Sequence, residues 1–281
     1  MTRITPPRIS LNNGTSIPQL GLGVWQAQDG AEVEAAVLAA LKAGYRLIDT
    51  AAVYANEAGV GHAIRSSNVP RDELFITTKL WNADQGYENT LKAFDKSLQK
   101  LGLDYVDLYL IHWPVPAQGL FIETWKAFEE LYKSGRVKAI GVSNFQPHHL
   151  DELLAVATIK PVVDQVELHP YFPQTELQVY GKKHDIAIES WSPIGGRGGA
   201  LLKEPILHDI GQKYGKSPAQ VVIRWHLQNG LIVIPKSVHQ QRIEENMAVF
   251  DFELNQSDMK AISSLETGIR VGPNPDTANF H

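Results

Sequence analysis

Short apolar runs recur along the chain, each separated from the next by a stretch with room for a helix. LGLGVW (20–25), YRLIDTA (45–51), LFITTKL (74–80), YVDLYLIH (105–112), VKAIGVSN (137–144), VVDQVEL (162–168), AIESWSP (187–193) and LIVIPKS (231–237) read as strands. The stretches between them are amphipathic. AEVEAAVLAALKAG sets Val33, Val37, Leu38 and Leu41 on one face, and FIETWKAFEELYKSG stops at Gly135. Strands alternating with helices predict a parallel sheet, and eight such units in this length favour a closed (β/α)8 barrel over an open doubly wound sheet. Ahead of the first unit, RISLNNGTSIPQ predicts a β-hairpin turning at Asn13-Gly14. QSDMKAISSL predicts an extra helix after the eighth unit, and the tail ETGIRVGPNPDTANFH is too rich in Pro, Gly and Asn for regular structure. No Pro/Gly/Ser-rich linker interrupts the pattern, so residues 1–281 read as a single domain.

Composition narrows the function. The 281 residues, 43% hydrophobic and 20% charged, suffice for a large core. A net charge of −5 offers no basic field for nucleic acid or an anionic membrane. The absence of cysteine excludes disulfides, thiolate catalysis and cysteine-ligated zinc, and no other motif calls for a metal. MTRITPPRISLNNG lacks the apolar core of a secretory signal, and no apolar run reaches the roughly 18 residues of a membrane span. The expected location is the cytoplasm.

The strand ends carry the candidate chemistry. Asp49, Lys79 and His112 close the second, third and fourth strand-like runs, and Tyr54 follows Asp49 by five residues. In a (β/α)8 barrel the carboxyl ends of the strands face one cavity. Period-two alternation points Asp49 and Lys79 inward, where each is costly unless paired, so a mutual ion pair is expected. Singly, each of these residues has an ordinary reading: a solvated rim charge, a core tyrosine, a hydrogen-bonded core histidine. Together they make a set for moving a proton to or from a carbonyl oxygen, with Lys79 lowering the pKa of the Tyr54 phenol and His112 orienting the substrate. A Schiff-base aldolase using Lys79 and a non-catalytic nucleotide-binding barrel are the alternatives.

GLGVWQ (21–26) is not a dinucleotide fingerprint, because Gln26 stands where the third glycine belongs. Barrels bind phosphate at the loops after strands seven and eight. There the chain reads SPIGGRGG (192–199), whose glycines let backbone amides approach a pyrophosphate, and PKSVHQQRIEEN (235–246), with Lys236 and Arg242 around a helix start.

With these motifs in place the chain resembles the aldo-keto reductase family over essentially its whole length. GYRLIDTA with Tyr54, ITTKLW, DLYLIHWP, GVSNF, QVELHP and IPKS with the following Arg242 and Asn246 stand in the family's order and spacing. DQGYENTLKAFDKSL, ELHPYFPQ and ESWSP are similar to its short-loop group, which holds 2,5-diketo-D-gluconic acid reductases and a prostaglandin F synthase. The resemblance implies a monomeric barrel that binds NADPH in an extended pose and reduces a small carbonyl substrate. Tyr54 would be the general acid, tuned by Lys79 and Asp49, with His112 orienting the substrate. Ser143, Asn144 and Gln165 would hold the nicotinamide carboxamide, Trp191 would stack on its ring where many relatives have tyrosine, and Gly23, Val24 and Trp25 would line the same site. Ser192, Ile194 and Gly196 would flank the pyrophosphate. Lys236, Ser237, Val238 and Arg242 would hold the adenosine 2′-phosphate, with Glu245 and Asn246 at the adenine. Trp25, Trp81 and Trp113, with Tyr54 and His112, would wall the substrate pocket. One departure stands out: Asp164 occupies the place where relatives usually carry asparagine, on the strand face opposite Gln165. Glu167 and Glu189 fall at positions of expected burial with no role assigned.

Overall fold

The computed structural model describes residues 5–196 and 198–280. A two-stranded antiparallel hairpin, β1 (Arg8–Ser10) and β2 (Ser16–Pro18), opens the chain. It turns at Asn13-Gly14, with Gly14 at φ +83°. Eight parallel strands follow: β3 (Gly21–Gly23), β4 (Leu47–Asp49), β5 (Phe75–Leu80), β6 (Leu108–Ile111), β7 (Ile140–Ser143), β8 (Val163–Glu167), β9 (Ala187–Trp191) and β10 (Ile232–Val233). Single parallel bridges, Leu20 to Val233 and Gly23 to Lys236, join the first barrel strand to the last and close the ring. Closure there depends on glycine. A Cβ on Gly23 would sit 2.9 Å from the Ile234 carbonyl oxygen.

The crossovers are α1 (Ala31–Ala43), α2 (Glu57–Ser66), α3 (Tyr87–Leu101), α4 (Phe121–Lys133), α5 (Pro147–Leu154), α6 (Thr175–His184), α7 (Pro205–Tyr214), α8 (Pro218–Gln228) and α9 (Gln240–Met247). The extra helix α10 (Gln256–Ser263) is present, capped by Asn255. α7 is a second addition that the hydrophobic pattern did not single out, although Pro205 at its first turn and Gly215 at φ +65° mark its ends. On α1, Val33, Val37 and Leu41 are buried as expected but Leu38 is exposed, and Ala36 and Ala40 take its place. At ~100° per residue Leu38 lies about 140° from Val33, on the far side of the helix.

Strand alternation divides the apolar residues between two cores. Ile48, Ile76, Tyr109, Ile111, Val142 and Val233 face the helices. Leu47, Phe75, Leu108, Leu110, Val163 and Ile232 fill the barrel interior, where Leu11 and Ile17 of the hairpin join them. The inward positions nearer the carboxyl ends are instead polar: Asp49, Lys79, Gln165 and Glu189 are all buried. The regular strands are shorter than the apolar runs, β10 by most of its expected length, because the chain leaves the sheet at these ends to build the mouth. Among the described residues no helix is long and apolar enough to cross a membrane.

Candidate active site

The four strand-end residues converge. Lys79 is fully buried, and its Nζ donates to Asp49 Oδ1 at 2.5 Å, to the Thr50 carbonyl at 3.0 Å and to Tyr54 Oη at 3.4 Å. All three ammonium hydrogens are therefore engaged. Burial acts against the Lys79 cation, but Asp49 and Tyr54 together outweigh it and hold its pKa above the usual lysine value. Burial pushes Asp49 up, against the pull of Lys79 and Gln165. Tyr54 sits in the turn Ala52–Tyr54 just beyond β4. Lys79 draws its pKa down as expected, yet burial outweighs that pull and the net direction is upward. The resting phenol thus keeps its proton. His112 meets Tyr54 edge-on, with ring centroids 5.7 Å apart. Its pKa lies well below the ordinary histidine value, through burial and then through Lys79, so the imidazole is neutral, and its Nδ1 is buried without a partner.

A second polar layer adjoins the first. Gln165 donates both amide hydrogens, to Asp49 Oδ2 at 2.8 Å and to Glu189 Oε2 at 3.0 Å. Burial, and after it the Asp49 carboxylate, push Glu189 up to about 8. Asn144, in the left-handed region at φ +63°, donates to the His112 carbonyl and to Ser143 Oγ, and its own oxygen accepts from Trp191 Nε1 at 2.8 Å. Ser143 Oγ donates to the Gln165 carbonyl at 2.7 Å. These contacts use the donors of Ser143 and Asn144 within the protein and leave acceptor oxygens for a ligand. Such a set suits the two N–H groups of a carboxamide. Asp164 points away, as alternation requires. Its carboxyl is buried, accepts from Phe145 N at 3.4 Å and is pushed well above the carboxylate range by burial.

An aromatic cluster adjoins His112, with one contributor that the sequence pattern did not reveal. Trp113, Trp81 and Trp191 pack in one cluster with Ala278 and Phe280 of the tail. Phe280 stacks on Trp81 at 5.8 Å and meets Trp113 edge-on at 5.1 Å, while its carbonyl accepts from Asn82 Nδ2. Buried Glu167 ties the tail down by accepting from the amides of Val271 and Gly272. Gly272 then lies so close to Trp191 that a Cβ would fall 2.4 Å from the indole. Trp25 is 49% exposed and lies outside this cluster.

The two segments expected to meet phosphate follow β9 and β10. Ser192, Gly195 and Gly196 all have positive φ, and Ile194 packs against the outer core; Arg197 lies outside the described residues. Lys236 and Arg242 are exposed, and among the described residues no acid pairs with either. They flank the start of α9, whose cap residue His239 makes no side-chain cap bond, leaving its first-turn amides available to an anion. Ser237 and Asn246 are buried beside it, and Val238 and Glu245 are nearer solvent. Of the first-strand residues, Gly23 shapes the closure, and Val24 turns its side chain into the helix-facing core and its amide to the Asp49 carbonyl.

A buried cluster of acid, amine, phenol and imidazole, beside a glycine loop and a basic helix start, marks the mouth of the barrel as the candidate active site. Residues 19–267 match the Aldo/keto reductase family, and the chain belongs to it; it is an oxidoreductase of that family. It is 55% identical to the 9,11-endoperoxide prostaglandin H2 reductase of Trypanosoma cruzi, over 95% of this chain and 94% of that one. It is 54% identical to the glyoxal reductase of Bacillus subtilis, over 97% of each. Among solved structures, a mutant of Gox0644 in complex with NADPH superposes with a TM-score of 0.93 at 49% identity, covering 99% of this chain and 100% of that one.

Proposed function

We propose that this protein reduces aldehydes and ketones to alcohols with NADPH, using Tyr54 as the general acid. The observation that carries the reading is the Lys79 ammonium bridging Asp49 and Tyr54 at the mouth of the barrel. The donor set fits the cofactor: acceptor oxygens at Ser143, Asn144 and Gln165 suit its carboxamide, the uncapped start of α9 with Lys236 and Arg242 suits a phosphate, and the loop 192–196 permits close backbone approach. When bound, NADPH supplies a hydride to the carbonyl carbon. His112, neutral and close to Tyr54, holds the carbonyl oxygen by its N–H. Tyr54 releases its proton to that oxygen as negative charge develops there, and Lys79 stabilises the phenolate left behind. Trp191, anchored through its N–H to Asn144, offers a flat face beside the carboxamide site.

The aldolase alternative requires a neutral, mobile lysine amine. Lys79 is instead charged, buried and bound at all three hydrogens, which opposes that chemistry. The aromatic walls and the tail residue Phe280 favour compact carbonyl substrates, and the relative named glyoxal reductase supports small 2-oxoaldehydes as the first to try. We read the working form as a cytoplasmic monomer. The test is a panel of carbonyl compounds with NADPH, followed at the nicotinamide absorbance band. Turnover by wild type that collapses in Tyr54→Phe supports the reading. Borohydride trapping of substrate on Lys79 would replace it with the aldolase.

A further inference from the structure

Glu189 is a buried ionisable group beside the site that the proposed chemistry leaves without a task. It is fully inaccessible, projects inward from β9, and pairs in register with Gln165 of β8. A buried carboxyl is costly, and an apolar residue would serve the core better if burial were all it did. Its Oε2 accepts one hydrogen of the Gln165 amide at 3.0 Å, and Asp49 Oδ2 accepts the other at 2.8 Å.

An amide can be turned to exchange the places of its NH2 and its oxygen, and its hydrogen-bond partners decide which way it points. Gln165 cannot be turned without bringing its oxygen toward the Asp49 carboxylate and losing the hydrogen bond it donates there. The consequence falls on its other end. Gln165 is 2% exposed, both of its hydrogens are spent, and its oxygen is neither bonded to another described residue nor sealed from the cavity.

We propose that Glu189 is a positioning residue: together with Asp49 it locks the Gln165 amide so that the Gln165 oxygen is presented to the carboxamide N–H of the bound cofactor. The inference rests on the reading of Ser143, Asn144 and Gln165 as the carboxamide site. Asp49 is thereby shared between two tasks, holding Lys79 through one oxygen and Gln165 through the other. Glu189 supplies the second tether, accepting the amide hydrogen that Asp49 does not take. Its carboxyl faces Asp49 and Lys79, and with its pKa raised to about 8 it is mostly protonated at neutral pH, so it accepts from Gln165 without adding a net charge beneath the ion pair.

The test compares two cofactors that differ only at the carboxamide: NADPH and reduced 3-acetylpyridine adenine dinucleotide phosphate, whose methyl ketone has no N–H to donate. Dissociation constants are measured by quenching of tryptophan fluorescence. Wild type should favour NADPH by about 3- to 10-fold for each neutral hydrogen bond its two N–H groups make. Glu189→Leu, similar in size but unable to accept, should lower that ratio by about 3- to 10-fold, the share of the Gln165 oxygen, mainly by weakening NADPH. Glu189→Gln, which still offers an oxygen, should keep the ratio within about twofold of wild type. Glu189→Met serves as a second apolar variant should the leucine protein fold poorly. A wild-type ratio retained in both Leu and Met variants overturns the proposal. Gln165→Leu separates the two levels of the argument. If it lowers the preference while Glu189→Leu does not, the carboxamide site stands and the role of Glu189 falls. If it changes nothing, the carboxamide site itself is wrong and the proposal falls with it.

Discussion

Replacing Lys79 by methionine tests the site at its centre. The side chains are close in length, so the change removes the charge and three hydrogen bonds while leaving little cavity. Asp49 Oδ1 and the Thr50 carbonyl, both buried, lose the donor they had at 2.5 Å and 3.0 Å. Removing one partner of a buried ion pair costs about 3–5 kcal/mol. Domains of 150–250 residues lose roughly 2–4 °C in Tm per kcal/mol, so the shift should be on the order of 10 °C. The loss has a pH signature. Without Lys79 the Asp49 pKa rises further, because burial already pushes it up and the largest opposing charge is gone. A carboxyl whose folded pKa lies above its unfolded value of about 3.9 favours the fold below that value and costs stability as pH rises past it. The deficit of Lys79→Met relative to wild type should therefore be smaller at pH 5 than at pH 8. Adding Asp49→Asn removes the stranded carboxyl and should recover part of the loss at pH 8. Urea unfolding of the four proteins of this cycle at both pH values, with turnover measured alongside, makes the comparison. A Lys79→Met protein within about 1 kcal/mol of wild type at both pH values would refute the buried-pair argument, and full turnover would remove Lys79 from the chemistry.

Other consequences can be checked one by one. Tyr54→Phe keeps the ring and removes the proton donor, so turnover should fall by at least about 10²–10⁴-fold while cofactor binding, read by fluorescence titration, survives. Because His112 is held neutral by burial and by Lys79, the pH dependence of turnover should show no limb near the ordinary histidine value of about 6.5; a limb there that vanishes in His112→Gln would contradict the assignment. The same depressed pKa means that the unfolded chain takes up the proton first as pH falls below about 6.5, so His112 costs stability in acid, and His112→Gln should lessen acid sensitivity in thermal melts. Arg242→Ala should weaken NADPH by roughly 10- to 150-fold, the scale of one charge-assisted hydrogen bond, and leave NADH nearly untouched; equal weakening of both would show that Arg242 does not read the 2′-phosphate.

Much of this protein is legible without coordinates because its signals are periodic. Period-two alternation placed Asp49 and Lys79 on one inward face and set Gln165 and Asp164 on opposite faces, and the structure has them so. The count of strand and helix units specified a closed barrel, and closure alone carries strand ends distant in sequence to one mouth. Periodicity failed where a local pattern had competing readings. Leu38 looked like a core residue in a dense apolar run but falls on the outer side of α1, and α7 hides in the long stretch between the seventh and eighth strands.

What no local pattern encodes is contact between segments far apart in the chain. Phe280 reaches Trp81 and Trp113 because the tail is fastened in place, by Glu167 at Val271 and Gly272 and by Asn82 at Phe280 itself, and nothing in a Pro- and Gly-rich tail announces where it will be tied. The electrostatics belong to the same class. From sequence, Lys79 should lower the Tyr54 pKa; in the folded protein burial outweighs that pull, because desolvation depends on everything packed around a group rather than on its nearest charge. The sequence by itself determined which residues face inward and which strand ends meet, since backbone geometry repeats every two residues. Only the tertiary structure decided how those residues share their hydrogens and which carboxyls are forced to hold a proton, since these depend on long-range packing and on the exclusion of water.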